Sequence, residues 1–128
     1  MLTSILGFSQ VQEATLNLNP EKFNEDESVT LTFVGIDASD WSSSDLYLWA
    51  WYYKNGSTTA QSDSPNNGTW NSSSELQKLT NNGDGTYSIT LTPTTFFDDT
   101  NITRVGVLVK PKDGGGSGLP DKKTNDIF

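Results

Sequence analysis

The chain has no histidine and no cysteine. Imidazole metal ligands, thiolate nucleophiles, disulfides and Ser-His catalysis are therefore excluded, leaving carboxylates and hydroxyls for any covalent chemistry. Paired carboxylates hydrolyse glycosidic bonds when one acts as acid and the other as base or nucleophile. Asp37, Asp40, Asp45, Asp98 and Asp99 are the candidates for such a pair. They sit in loops rich in Ser, Thr and Asp, where acids usually cap turns or face solvent. A glycosidase also needs a deep cleft, for which 128 residues are few. No enzymatic activity is expected. Asp113, Asp121 and Asp126 surround a Gly-rich turn whose oxygens would suit a structural Ca²⁺, but the spacing is not that of an EF-hand loop, nor is that of "DDTN" at Asp98 to Asn101. "GGGSG" lacks the Gly-Lys-Ser/Thr ending of a phosphate loop. No cofactor is expected.

The residues with most to offer are non-covalent. "DLYLWAWYY", Asp45 to Tyr53, holds two tryptophans and three tyrosines. On a strand, alternate side chains point to opposite faces, so Leu46, Leu48, Ala50 and Tyr52 share one face and Tyr47, Trp49, Trp51 and Tyr53 the other. Neighbours on one face stand roughly 7 Å apart. The aliphatic face suits a core, and the other is a row of four rings. Sugars stack their C–H faces on such rings and exchange hydrogen bonds with amides at their rims. The polar stretch that follows supplies amides at Asn55, Gln61, Asn66, Asn67 and Asn71. Trp70, in "NNGTWNSSS", has little apolar surface nearby to hide against and is a further contact, whereas Trp41 is expected to plug the end of the core. The predicted ligand-binding set is Trp49, Trp51, Tyr53, Trp70, Asn67 and Asn71. The alternative is that the rings are simply buried, as a Trp on a central sandwich strand often is.

The elements that must hold these residues are short strands. Ala14 to Asn19 alternates through Leu16 and Leu18. Ser28 to Gly35 places Val29, Leu31 and Phe33 on one face. Glu75 to Thr80 is predicted as a short strand. "NNGDG", Asn81 to Gly85, is a hairpin turn leading into Thr86 to Leu91. Thr92 and Pro93 read as N-cap and first residue of one helical turn, with Phe96 or Phe97 under the sheet. Ile102 to Lys110 is the last long strand, Asp113 to Asp121 a flexible turn, and Lys122 to Phe128 a final strand. The expected fold is all-β, an antiparallel Ig-like β-sandwich of about six to eight strands.

A net charge of −8 disfavours nucleic acid and anionic membranes, so a neutral partner fits better. No segment is long and apolar enough to span a bilayer. "MLTSILGFSQ" has the look of a signal-peptide h-region and cleavage end without its basic start. Residues 1–12 are read as its remnant and 13–128 as one module, either secreted or on the outer cell surface.

The succession "LNPEKFNEDESVTLTF", "DLYLWAWYY", "NNGTW", "NNGDGTYSITLTPTTFF", "ITRVGVLVKPKDG" and "DKKTNDIF" resembles the β-sandwich modules of secreted Bacteroidota glycan-utilisation proteins. These occur near the N-terminus of exported amylase-type enzymes and in starch-binding lipoproteins. The resemblance implies a non-catalytic module binding a neutral polysaccharide, with α-glucan favoured, through Trp49, Trp51 and Trp70. It also implies that other domains of the same parent chain are partners. Some such modules are only spacers, so a structural spacer, adhesin or assembly domain without glycan binding is the alternative.

Overall fold

The structure is a computed structural model that describes residues 10–115 and 121–128. The fold is all-β. The strands are β1 (Gln10–Gln12), β2 (Thr15–Asn19), β3 (Val29–Val34), β4 (Leu46–Lys54), β5 (Ser62–Asp63), β6 (Gly68–Thr69), β7 (Ser72–Ser73), β8 (Thr80–Asn81), β9 (Tyr87–Leu91), β10 (Ile102–Pro111) and β11 (Lys122–Thr124), with one short helix, α1 (Pro93–Phe97). One sheet runs β2-β3-β9-β8 and the other β10-β4-β5. All their pairings are antiparallel. β1 departs from the expected pattern by lying parallel to β11.

Alternation decides which side chains meet between the sheets. Val29, Leu31 and Phe33 of β3, Leu46, Leu48, Ala50 and Tyr52 of β4, and Val107 and Val109 of β10 form one buried cluster. Each fully buried aliphatic or Phe side chain contributes about 1.5–3 kcal/mol by leaving water. Trp41 joins this cluster from a 3₁₀ turn, Ala38–Trp41, as the plug expected of it. Phe97 packs on Tyr52 from α1, with ring centroids 4.8 Å apart. Thr92 does precede the helix and Pro93 does open it, although the Thr92 side chain makes no capping bond.

Two expectations need correction. Gln10–Gln12 are part of the folded unit through their pairing with β11, so the module does not begin at residue 13. The rest of the predicted signal remnant, residues 1–9, lies outside the described residues, as do residues 116–120 of the predicted turn. Glu75 to Thr80 is not a strand. Glu75–Gln77 form a 3₁₀ turn capped by Ser74, whose Oγ accepts from Leu76 N, and only Thr80–Asn81 pair with β9.

The reason for that turn lies at the edge of β4. Strand β5 covers only Trp51 and Tyr52. Further along, the ladder is completed by side chains. Ala50 N donates to Asn67 Oδ1 (3.0 Å), and Asn67 Nδ2 donates back to Ala50 O (2.9 Å). Gln77 Nε2 donates to Leu48 O (2.8 Å) and to Asn67 Oδ1 (2.7 Å), and Ser64 Oγ donates to Gln77 Oε1. The main chain resumes at Leu79, whose N–H donates to Leu46 O (2.8 Å). The long polar stretch after β4 thus seals a sheet edge that would otherwise present open donors and acceptors. The 3₁₀ turn is what brings the Gln77 amide inward.

Candidate functional site

The outer face of the β10-β4-β5 sheet carries the aromatic row. Strand register sets each ring beside a residue of β10: Tyr53 beside Arg104, Trp51 beside Gly106, Trp49 beside Leu108 and Tyr47 beside Lys110. Asp63 of β5 stands beside Trp51 on the other side. Directly opposed residues project from the same face, so these pairs are neighbours in space.

The row is not four exposed rings. Tyr47 is buried, and its hydroxyl donates to Glu75 Oε2. Burial, reinforced by that carboxylate, pushes the Tyr47 phenol up to about 12. Tyr53 is 7% exposed, lies under the Arg104 guanidinium at 5.3 Å, and accepts a hydrogen bond from Trp51 Nε1 (3.1 Å). Trp49, Trp51 and Trp70 remain half-buried. Tyr53 therefore supports Trp51 from below instead of meeting a ligand.

Of the two amides, Asn67 is 2% exposed and wholly engaged with Ala50 and Gln77, so the expectation that it contacts a ligand is corrected. Asn71 is exposed, but the end of its amide that lies 2.6 Å from Gly115 O and 3.3 Å from Asp113 Oδ1 meets only acceptors, which assigns the nitrogen to that position. Both amides hold loops. For Asn67 the requirement that buried polar groups be paired outweighs its availability to a partner.

Trp49 and Trp70 meet edge to face, with centroids 5.2 Å apart. Trp70 Nε1 donates to Gly114 O (2.9 Å), and the ring lies so close that a Cβ at Gly114 would fall 2.6 Å from its Cε2. Lys110 lies against both indoles, with no exposed surface and its Nζ 5.7 Å from the Trp49 centroid and 5.1 Å from that of Trp70. The ammonium donates to Ser73 Oγ, Pro111 O (2.9 Å) and Lys112 O (3.0 Å), using all three protons. Burial pushes its pKa down to about 8, against the opposing pull of Asp113.

That shift has a readable consequence. The unfolded chain holds the Lys110 proton up to about pH 10.5 and the folded chain only to about 8, so the unfolded state binds more protons in between. Stability is expected to rise with pH over that interval. Above pH 10 the sign reverses, because Tyr47 keeps its proton in the fold to about 12 while the unfolded chain loses it near 10. Denaturant unfolding from about pH 7 to about pH 11.5 should show the rise and the later fall, and Lys110→Met should abolish the rise alone.

Trp51, half-buried like Trp49 and Trp70, sits apart from them. Its indole lies across β10 over Gly106, where any Cβ would run into Cε2, Nε1 and Cζ2. Phe128 stands perpendicular to it, centroids 5.9 Å apart, and is itself 59% exposed. Arg104 lies 4.3 Å over the Phe128 ring. Asp63, exposed, stands beside Trp51 on β5, and the exposed Arg104 lies over the Tyr53 and Phe128 rings that brace the indole. Asp63, Arg104, Gly106 and Phe128 were not among the residues singled out from the sequence. Only strand register brings them to Trp51, and no local motif records it.

The candidate carboxylate pair is dispersed into structural roles. Asp37 caps the 3₁₀ turn at Ser39 N (3.0 Å), and Asp45 faces Lys78 (3.4 Å). Asp99 accepts from Lys54 Nζ and the Tyr52 hydroxyl, both at 2.7 Å, which hold its carboxyl down to about 2. Among the described residues no three acidic side chains gather to hold a metal ion. Asp126 instead pairs with Lys123, and Asp113 accepts from Gly115 N. No helix among the described residues is long and apolar enough to cross a membrane. No protein-family model, curated protein or solved structure matches this chain.

Proposed function

We propose that this domain is a non-catalytic carbohydrate-binding module, an Ig-like β-sandwich of an exported or cell-surface protein, and that it holds a neutral polysaccharide, with α-glucan favoured. One observation carries the reading. The Trp51 indole is half-open on a sheet face, braced by Gly106, Tyr53 and Phe128, with the exposed carboxylate of Asp63 beside it and the guanidinium of Arg104 over the Tyr53 and Phe128 rings. A ring held in place stacks on a sugar at little entropic cost, and charged groups at its rim can take the hydroxyls. Trp49 and Trp70 form a second half-open centre on the same face. Two such centres suit an extended chain better than a single sugar. The resemblance to modules of Bacteroidota glycan-utilisation proteins supports the same reading.

Soluble α-glucan titrated into the chain should shift its tryptophan fluorescence. Trp51→Ala should weaken binding about tenfold or more, the equivalent of about 1.4 kcal/mol. A chain that folds but gives no shift with any neutral glycan would leave the structural reading, a spacer or assembly domain, which the burial of Tyr47 and Tyr53 favours.

A further inference from the structure

A second surface lies away from the aromatic face. β2 ends one sheet and β10 ends the other, and the two sheets part between them. The resulting cleft of about 330 Å³ is lined by Leu16 and Leu18 of β2, Leu31 of β3, Val105 and Val107 of β10, and Ile127. Its walls are mainly apolar, with Glu25, Thr103 and Arg104 also lining it, and they are continuous with the core.

The backbone beside it is half-used. Val107 exchanges both hydrogen bonds with Ile127, its N–H donating at 2.8 Å and its C=O accepting at 2.9 Å. Backbone groups two residues apart point the same way, so those of Val105 face the same edge. The opposite strand agrees. Ala50 and Tyr52, partners of Val107 and Val105, turn their carbonyls away from β10, to Ser64 N (2.8 Å) and Gln61 N (2.7 Å). Among the described residues nothing bonds to Val105 N–H or C=O.

We propose that this cleft receives one further β-strand, an extended segment of a separate polypeptide with an apolar side chain at every second position. It runs antiparallel to β10, continuing the ladder that Ile127 begins at Val107. Its apolar side chains enter between β2 and β10, and its backbone pairs with Val105. The observations select this occupant. A sugar could meet the rings of Phe23 and Phe128 here but no side-chain amide, and it would leave the backbone of Val105 without a ladder partner. A second copy meets the mutual repulsion of two chains of charge −8. A strand satisfies the open backbone pair and the apolar walls together, the mode by which peptides add to exposed sheet edges.

The test is a fluorescent peptide of about eight residues alternating Val and Thr, titrated into the 128-residue chain. Saturable binding is expected, and a peptide with Glu in place of Val should not bind. Val105→Pro should weaken binding about tenfold or more, because proline removes the donor. It should leave the fold intact, since that N–H does not serve the β4 ladder and proline is tolerated on edge strands. Should Val105→Pro unfold the chain, two readouts replace it: amide exchange at Val105 must slow in the wild type on adding peptide, and Leu18→Glu must abolish binding. No binding, equal binding by the proline variant, binding only when the peptide is joined after Phe128, or self-association that the peptide does not displace would each overturn the proposal.

Discussion

Asn67→Ala is expected to lower the unfolding free energy by about 3–5 kcal/mol, the largest stability loss of any polar substitution in this domain. The amide does the work of a missing piece of strand. Its Oδ1 accepts from Ala50 N and Gln77 Nε2 while its Nδ2 donates to Ala50 O. Alanine would leave Ala50 N–H and one Gln77 proton buried without acceptors, at about 1–3 kcal/mol each, and add a small cavity. Ala50 O would keep its bond from Ser64 N, which limits the damage. Asn67→Asp should be nearly as costly, since a carboxylate oxygen would then face Ala50 O. Asn66→Ala, one residue away and exposed, should change stability by no more than about 0.5 kcal/mol. Urea unfolding of the three variants decides it. A loss below about 1 kcal/mol for Asn67→Ala would mean that water can replace the amide at this edge.

Gly106→Ala is expected to remove most glycan binding while Trp51 is still present. The added Cβ would overlap the indole at Cε2, Nε1 and Cζ2, so the ring must leave its seat. The bond from Trp51 Nε1 to the Tyr53 hydroxyl and the edge contact with Phe128 would go with it. The cost to stability should be about 1–3 kcal/mol, typical of one extra methyl in a packed place. Glycan affinity should fall about tenfold or more, matching Trp51→Ala. Affinity unchanged in Gly106→Ala but lost in Trp70→Ala would move the site to the Trp49–Trp70 centre. The Gly106 variant thus tests the seating of the ring, and the Trp51 variant its presence.

Much of the fold was legible along the chain. The alternation through Val29, Leu31 and Phe33 and through Leu46, Leu48 and Ala50 fixed which side chains face the core, and those residues are buried. Asn81 to Gly85 does make the hairpin, with Gly83 and Gly85 at positive φ, and Pro93 does start the helical turn. These features depend on φ, ψ and period, which a few consecutive residues control.

The candidate site was legible only in part. The period of two put Tyr47, Trp49, Trp51 and Tyr53 on one face, but it carries no information about what covers that face. The answer came from residues remote in sequence: Glu75 on Tyr47, Trp70 and Lys110 on Trp49, and Arg104 and Phe128 on Tyr53. Asn67 and Asn71 looked available because an amide in a polar stretch can bind a ligand or a loop equally well. At Asn67 burial decided for the loop, since Ala50 would otherwise lose its partner, and at Asn71 the acceptors on Asp113 and Gly115 did. Sequence by itself therefore determined the longer strands, their faces and the exclusion of imidazole and thiol chemistry, but not the short edge strands after β4. Tertiary structure alone decided which rings stay open and where, among the described residues, an edge is left unpaired, because burial is set by contacts between strands whose register no local pattern encodes.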